Sequence, residues 1–178
     1  MAPAISAAAA VKRGVAVCAA ALCMTACSAS SSSSGAHAKC MAQFTKWRLG
    51  GGQADLRAVG VAVARYGHAA AALGSSGLTA ATVSQQLTSA ASALRAAVHT
   101  AQADKPPACV TGLRTAYGTA LADFARAAQG AQNAIQAANK GDVRSAVSAL
   151  RASTGALVGG AEAIRNADKD IAAFESRS

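Results

Sequence analysis

The sequence predicts an all-α fold, an antiparallel up-down four-helix bundle preceded by a short N-terminal helix. Three observations carry that prediction. Alanine, the strongest helix former, dominates the apolar residues, whereas aromatic side chains make up only 3% of the chain and strand-favouring residues are sparse. Beyond Lys39 the apolar positions recur at intervals of three and four, the spacing that lines one face of a helix. Glycine and proline interrupt this rhythm at three places and so divide it into four stretches.

The elements follow in order. A short helix from about Lys39 to Arg48 carries Phe44 and Trp47 on one side, and Gly50 to Gly52 allow the chain to turn back. The first bundle helix is marked by Leu56, Val59, Val63, Tyr66, Ala70 and Leu73, and Gly74 to Gly77 end it. Val83, Leu87, Ala90, Leu94, Val98 and Ala101 mark the second, which stops before Pro106 and Pro107. The third runs through Val110, Leu113, Tyr117, Leu121, Phe124, Ala128, Ala131, Ile135 and Ala138. Gly141 then closes it, and Asp142 caps the fourth. That last helix steps by sevens through Val143, Leu150, Leu157, Ile164 and Ile171. Short connections make neighbouring helices antiparallel.

Upstream of this region the chain reads differently. Lys12 and Arg13 precede an uncharged run from Gly14 to Ala26, about 13 residues. As a helix it would reach roughly 20 Å, short of a hydrocarbon core of about 30 Å. A basic segment, an apolar segment of this length and a small-residue exit form the pattern of a secretory signal. Met24, Thr25, Ala26 and Cys27 resemble the lipobox of bacterial lipoproteins, with Met where that family usually has Leu. Cys18 and Cys23 follow the bulky Val17 and Leu22 and do not fit the same pattern. The resemblance implies cleavage before Cys27, acylation of its sulfur, and display at the extracytoplasmic face of a cell membrane. Two or more acyl chains suffice for stable anchoring, at about 0.8 kcal/mol per buried methylene. The expected organisation is therefore a signal peptide over residues 1–26, the lipidated Cys27 with a serine-rich flexible tether over 27–37, and a helical domain over 38–178.

Two cysteines remain in the exported region, Cys40 and Cys109. In an oxidising compartment they are expected to pair, closing a loop of about 70 residues worth about 4 kcal/mol in the chain-entropy account. Phe44 and Trp47 are expected to cap the bundle end, with an exposed aromatic edge for a partner or bilayer as the sharper alternative. Lys140, Arg144 and Arg151 form a candidate basic strip at the start of the last helix, against the simpler reading of a solvated face.

Catalytic constellations are missing from the sequence. His37 falls in the tether, and His68 and His99 stand singly on different helices. No HExxH, GxSxG or phosphate loop occurs, so zinc hydrolysis, nucleophilic acyl transfer and nucleotide binding lack their residues. Two lone cysteines make poor metal ligands, and Met41 alone offers no haem pair. Gly155 and Gly159 form a GxxxG flanked by Arg151 and Glu162, which excludes a membrane dimer motif and favours close helix approach or a kink. With 17 basic against 8 acidic residues the chain favours anionic partners, but its arginines are dispersed, and nucleic acid is disfavoured by export and by the lack of interleaved aromatics. The expectation is a non-enzymatic, cofactor-free, lipid-anchored domain that binds an envelope protein or anionic polymer. The alternative is a carrier or sensor of a small ligand or polyanion.

Overall fold

The computed structural model describes residues 35–72 and 80–176. They are all helical or connecting: α1 (Gly35–Trp47), a π turn (Arg48–Gly52), α2 (Gln53–Ala71), α3 (Ala80–Ala103), α4 (Thr111–Asn139) and α5 (Val143–Glu175). Each helix packs on its neighbour in sequence, the pattern of an up-down bundle. Leu73 and Gly74 to Gly77, expected to end α2, lie outside the described residues.

The N-terminal segment departs from expectation. Instead of a short helix released by a glycine loop, α1, the π turn and α2 form one joined 37-residue helix. It is kinked at Gly51, whose φ of +148° only glycine adopts readily. Gly52 has a different reason to be glycine, since a Cβ there would collide with the Trp47 indole. The helix also begins at Gly35, before the expected Lys39, so His37 lies in its first turn, with its ring 5.2 Å from that of Phe174.

The α4–α5 connection follows the predicted chemistry. Gly141 adopts φ +77°, its N–H donates to the Ala138 carbonyl, and the Asp142 N–H donates to Ala137, which together satisfy the last carbonyls of α4. The Asp142 side chain then accepts from the Ser145 N–H at 3.0 Å and caps α5. That bond holds the Asp142 carboxyl below the usual aspartate range.

Small residues govern how α4 meets α5. A Cβ on Gly130 would lie 3.2 Å from the Ala149 carbonyl oxygen and from Ser153 Cα, so the two backbones approach closely there. Further along, Gly160 faces the Phe124 ring and Gly112 faces Asp170. Contacts that descend α4 ascend α5, so the pair is antiparallel. The buried line of α5 is Ala146, Ser153, Gly160, Ala163 and Ala167. This corrects the expected core line. Val143 is 70% exposed, and Leu150, Leu157, Ile164 and Ile171 are half-buried beside the small residues. Close backbone approach leaves no room for a leucine at the centre of the contact, so the large side chains flank it. On α3, by contrast, all six predicted core positions are buried.

One polar bridge crosses the interior. Ser153 Oγ donates to the Ala127 carbonyl oxygen at 2.8 Å, which commits its only proton, so the buried Tyr66 hydroxyl donates to Ser153 Oγ. The bridge ties α2 to α5 and both to α4. Burial pushes the Tyr66 hydroxyl pKa up, with the Ser153 bond opposing it.

Two stability measurements by chemical denaturation follow. Gly160→Ala, whose methyl would enter the Phe124 ring, is expected to cost about 1–3 kcal/mol, whereas Gly155→Ala, at an open helical position, should stabilise by up to about 1 kcal/mol. Ser153→Ala should cost about 1–3 kcal/mol because it leaves the buried Tyr66 hydroxyl without an acceptor; Tyr66→Phe, which leaves Ser153 bonded to Ala127, should cost less.

Candidate functional site

The first candidate is the end of the bundle crossed by α1. Cys40 and Cys109 form a disulfide there, with Cα atoms 5.9 Å apart. Cys109 sits in the turn just before α4, where the Val110 N–H donates to the Pro107 carbonyl, and not within the helix itself. The expected pairing is therefore present. Beside it, Phe44 and Trp47 are buried, at 1% and 8% exposure. The Phe44 ring meets Phe174 edge-on at 5.8 Å, Trp47 meets Tyr117 at 5.9 Å, and Trp47 Nε1 donates to the Asp104 carbonyl oxygen at 3.0 Å. The aromatic pair thus caps the end, and the reading of an exposed docking edge is corrected. Its rings are consumed by α4, α5 and the α3–α4 connection.

Arg48 finishes this end. Its guanidinium lies 5.7 Å from the Phe44 ring centre and pairs with Glu175 at 3.2 Å. Tyr117 donates its hydroxyl to the Ala101 carbonyl oxygen at 2.8 Å, and burial, then Asp55 and Asp104, raise its pKa well above the ordinary range. The Tyr117 hydroxyl proton is thus committed to the α3 backbone.

Lys140, Arg144 and Arg151 are exposed at the α4 C-cap and on α5, beside the exposed Val143 and Val147. None of the three lines the α2–α3 groove or the α4–α5 notch. Cys27 lies outside the described residues. His68 and His99 are both exposed, on α2 and α3. Among the described residues no three His, Cys, Asp or Glu side chains gather to hold a metal, and no helix is long and apolar enough to cross a membrane.

Asp123 and Arg126 form an i,i+3 ion pair on α4 with one buried partner. The Asp123 carboxylate is buried, while the Arg126 side chain is 72% exposed. Asp123 leans over α5 at Gly159, where a Cβ would come within 2.8 Å of its Oδ2. Ala152, Gly155, Ala156 and Gly159 complete a shallow notch at this pair. The GxxxG of α5 therefore serves close approach at Gly159, and α5 runs unbroken through it. Arg165 turns its Nε to the Ala161 carbonyl oxygen.

The larger concavity, about 560 Å³, lies between α2 and α3. Ala69, Ala90 and Ala93 form its floor, and Arg65, His68, Gln85, Gln86 and Ser89 surround it. These five polar residues are exposed and converge from two helices. Periodicity reasoning passed over them because it follows apolar positions and weighs each arginine singly. A different signal was available: no Asp or Glu occurs between Asp55 and Asp104, so beyond Asp55 in the first turn of α2 the two helices carry cations and no carboxylate.

Comparison with known protein families, curated proteins and solved structures finds no match to this chain.

The disulfide gives the measurable consequence of this end's architecture. Reduction, or Cys40→Ser with Cys109→Ser, should lower unfolding stability by up to about 4 kcal/mol, read as a shift in denaturant midpoint. Titration of the denatured, unreduced mature protein should find neither sulfhydryl free.

Proposed function

We propose that the chain is a non-enzymatic, lipid-anchored binding module held at the extracytoplasmic face of a cell membrane by acylated Cys27, and that it acts on an envelope protein or an anionic polymer. The observation that carries this reading is the Cys40–Cys109 disulfide, which joins the beginning of the helical domain to the α3–α4 connection. Structural disulfides persist in oxidising compartments, and the lipobox-like segment of residues 24–27 supplies a route to one. The finer architecture belongs to the same proposal: a closed up-down bundle whose α1 segment is strapped to the membrane-facing end, with residues 27–34 as the tether.

A surface role agrees with the packing. Alanine and glycine let α4 and α5 close on one another, and the described concavities are grooves at the surface. The open α2–α3 groove is the specific observation that favours the second reading, a carrier or sensor of a small ligand or polyanion. Nucleic acid is no part of either reading.

Intact-mass measurement of the native protein should show a chain that begins at Cys27 and carries acyl mass, and Cys27→Ala should abolish that mass. A chain beginning upstream, or beginning bare at Cys27, would overturn the placement. Crosslinking in intact cells, with identification of captured species, should return a recurrent envelope protein or polymer. A co-purifying small molecule with no crosslinked macromolecule would select the second reading.

A further inference from the structure

We propose that the groove between α2 and α3 is a binding site for an oxyanion, a carboxylate or phosphate group, with Arg65 as its principal ligand and His68, Gln85, Gln86 and Ser89 as additional donors. This deepens the small-ligand reading above and does not depend on lipidation of Cys27.

Geometry supplies the first argument. Arg65 and His68 are one helical turn apart on α2, so they present to the same side. Gln85, Gln86 and Ser89 come from α3, which makes the site bilateral and anchored on helices. The alanine floor is buried, or half-buried at Ala93, and has no side chain tall enough to fill the valley between the helices. A space of about 560 Å³ falls within the usual range for small-ligand sites.

Charge supplies the second. No carboxylate lines the groove, and none occurs anywhere from Leu56 to Ala103. Three arginines elsewhere in the fold are engaged by side chains: Arg48 pairs with Glu175, Arg126 with Asp123, and Arg95 donates to Gln129 and Gln132. Arg65, like Arg57 and Arg114, has no such partner among the described residues, and of these three it alone lines the groove. A guanidinium presents a planar fork that matches carboxylate or phosphate oxygens in pairs, and two amides with a hydroxyl can donate to the oxygens that remain. Arg144 and Arg151, by contrast, are exposed on α5 and line neither this groove nor the α4–α5 notch.

The test uses the full-length purified protein with its histidines isotopically labelled. Inorganic phosphate, citrate and short-chain polyphosphate are titrated separately while the imidazole NMR signals are followed. His68 should shift saturably with at least one probe, while His37 and His99, the chain's other histidines, stay in place. Arg65→Ala should weaken the affinity at least tenfold, and Arg65→Lys should fall between that variant and the native protein. Arg144→Ala with Arg151→Ala should remain within twofold of native. Saturation by phosphate or citrate identifies a small anion; saturation by polyphosphate alone identifies a polymer segment, and either supports the site. The absence of a saturable His68 shift with all three probes would overturn it. So would a common shift of all three histidines, or equal weakening by the α5 substitutions, because each reports diffuse attraction to a basic surface. Thermal melts of each variant show that the exposed substitutions leave the fold intact.

Discussion

The closeness of α4 and α5 is the constraint on which the rest of this fold depends. An alanine-rich chain has little apolar area per residue to remove from water, and at about 25 cal/mol per Å² it gains stability only if its helices come together with few gaps. Gly130, Gly159 and Gly160 permit that approach at places where a single Cβ would strike the partner helix. The interior glycines are individually unfavourable in a helix by about 0.5–1 kcal/mol each, and the contact they allow must exceed that cost. The large residues of α5 are then displaced to the flanks. There Leu150, Leu157 and Ile164 meet the rest of the core, which includes the half-buried Leu56 and Val63 of α2.

That arrangement makes the bundle asymmetric, and the asymmetry assigns work to its few large side chains. Where α2 stands opposite α5, the helices meet through side chains, and the Tyr66 hydroxyl reaches Ser153. At the end of the bundle, small residues cannot cover the openings between four helix termini. Phe44, Trp47, Tyr117 and Phe174 do so, with ring separations near 6 Å that suit edge contacts. The disulfide fixes the α1 segment over this cluster, and the Arg48–Glu175 pair closes its rim. The kink at Gly51 is what brings these groups to one place. A straight continuation of α2 would carry Phe44 and Cys40 past the end of the bundle.

How much of this was legible in the sequence depends on what each signal measures. Apolar spacing picked out the buried line of α3 because four of its six core positions, Val83, Leu87, Leu94 and Val98, are branched and stand out from its polar face. On α5 the same signal selected Val143, Leu150 and Leu157, since it ranks residues by hydrophobicity and cannot see that the central line must be small. Ala146, Ser153 and Gly160 recur at the same interval of seven, displaced by three positions, and Ser153 is polar only to be satisfied internally. Glycine punctuation located the α1–α2 joint correctly but not its form, because both a loop and a kinked helix use the φ that Gly51 supplies. The cysteine pairing was accessible from compartment and topology together. The α2–α3 groove was not, because its polar residues lie six to twelve positions from the glycines at 74 and 77 and acquire meaning only when two antiparallel helices bring Arg65 and His68 opposite Gln85 and Ser89.

The two surface concavities show how charge decides between structure and recognition when packing does not. Both lie between neighbouring helices, and both have alanine or glycine floors that deepen the valley. In the α4–α5 notch the cation and carboxylate belong to the same helix, so Arg126 neutralises Asp123 and the field there is largely satisfied before any ligand arrives. A buried carboxylate without that arginine would carry a desolvation cost of several kcal/mol, which explains why the pair is better read as part of the fold. Between α2 and α3 the compensation is missing. The nearest carboxylates in sequence, Asp55 in the first turn of α2 and Asp104 just after α3, act at the opposite end, where they add to burial in raising the Tyr117 pKa. A cation in an open groove with no counter-charge is solvated by water in the free protein, and an oxyanion of matching shape can replace that water while keeping every donor satisfied. The same small side chains that hold the helices together thus leave this valley open, and the absence of acid along 48 consecutive residues from Leu56 to Ala103 leaves it positive.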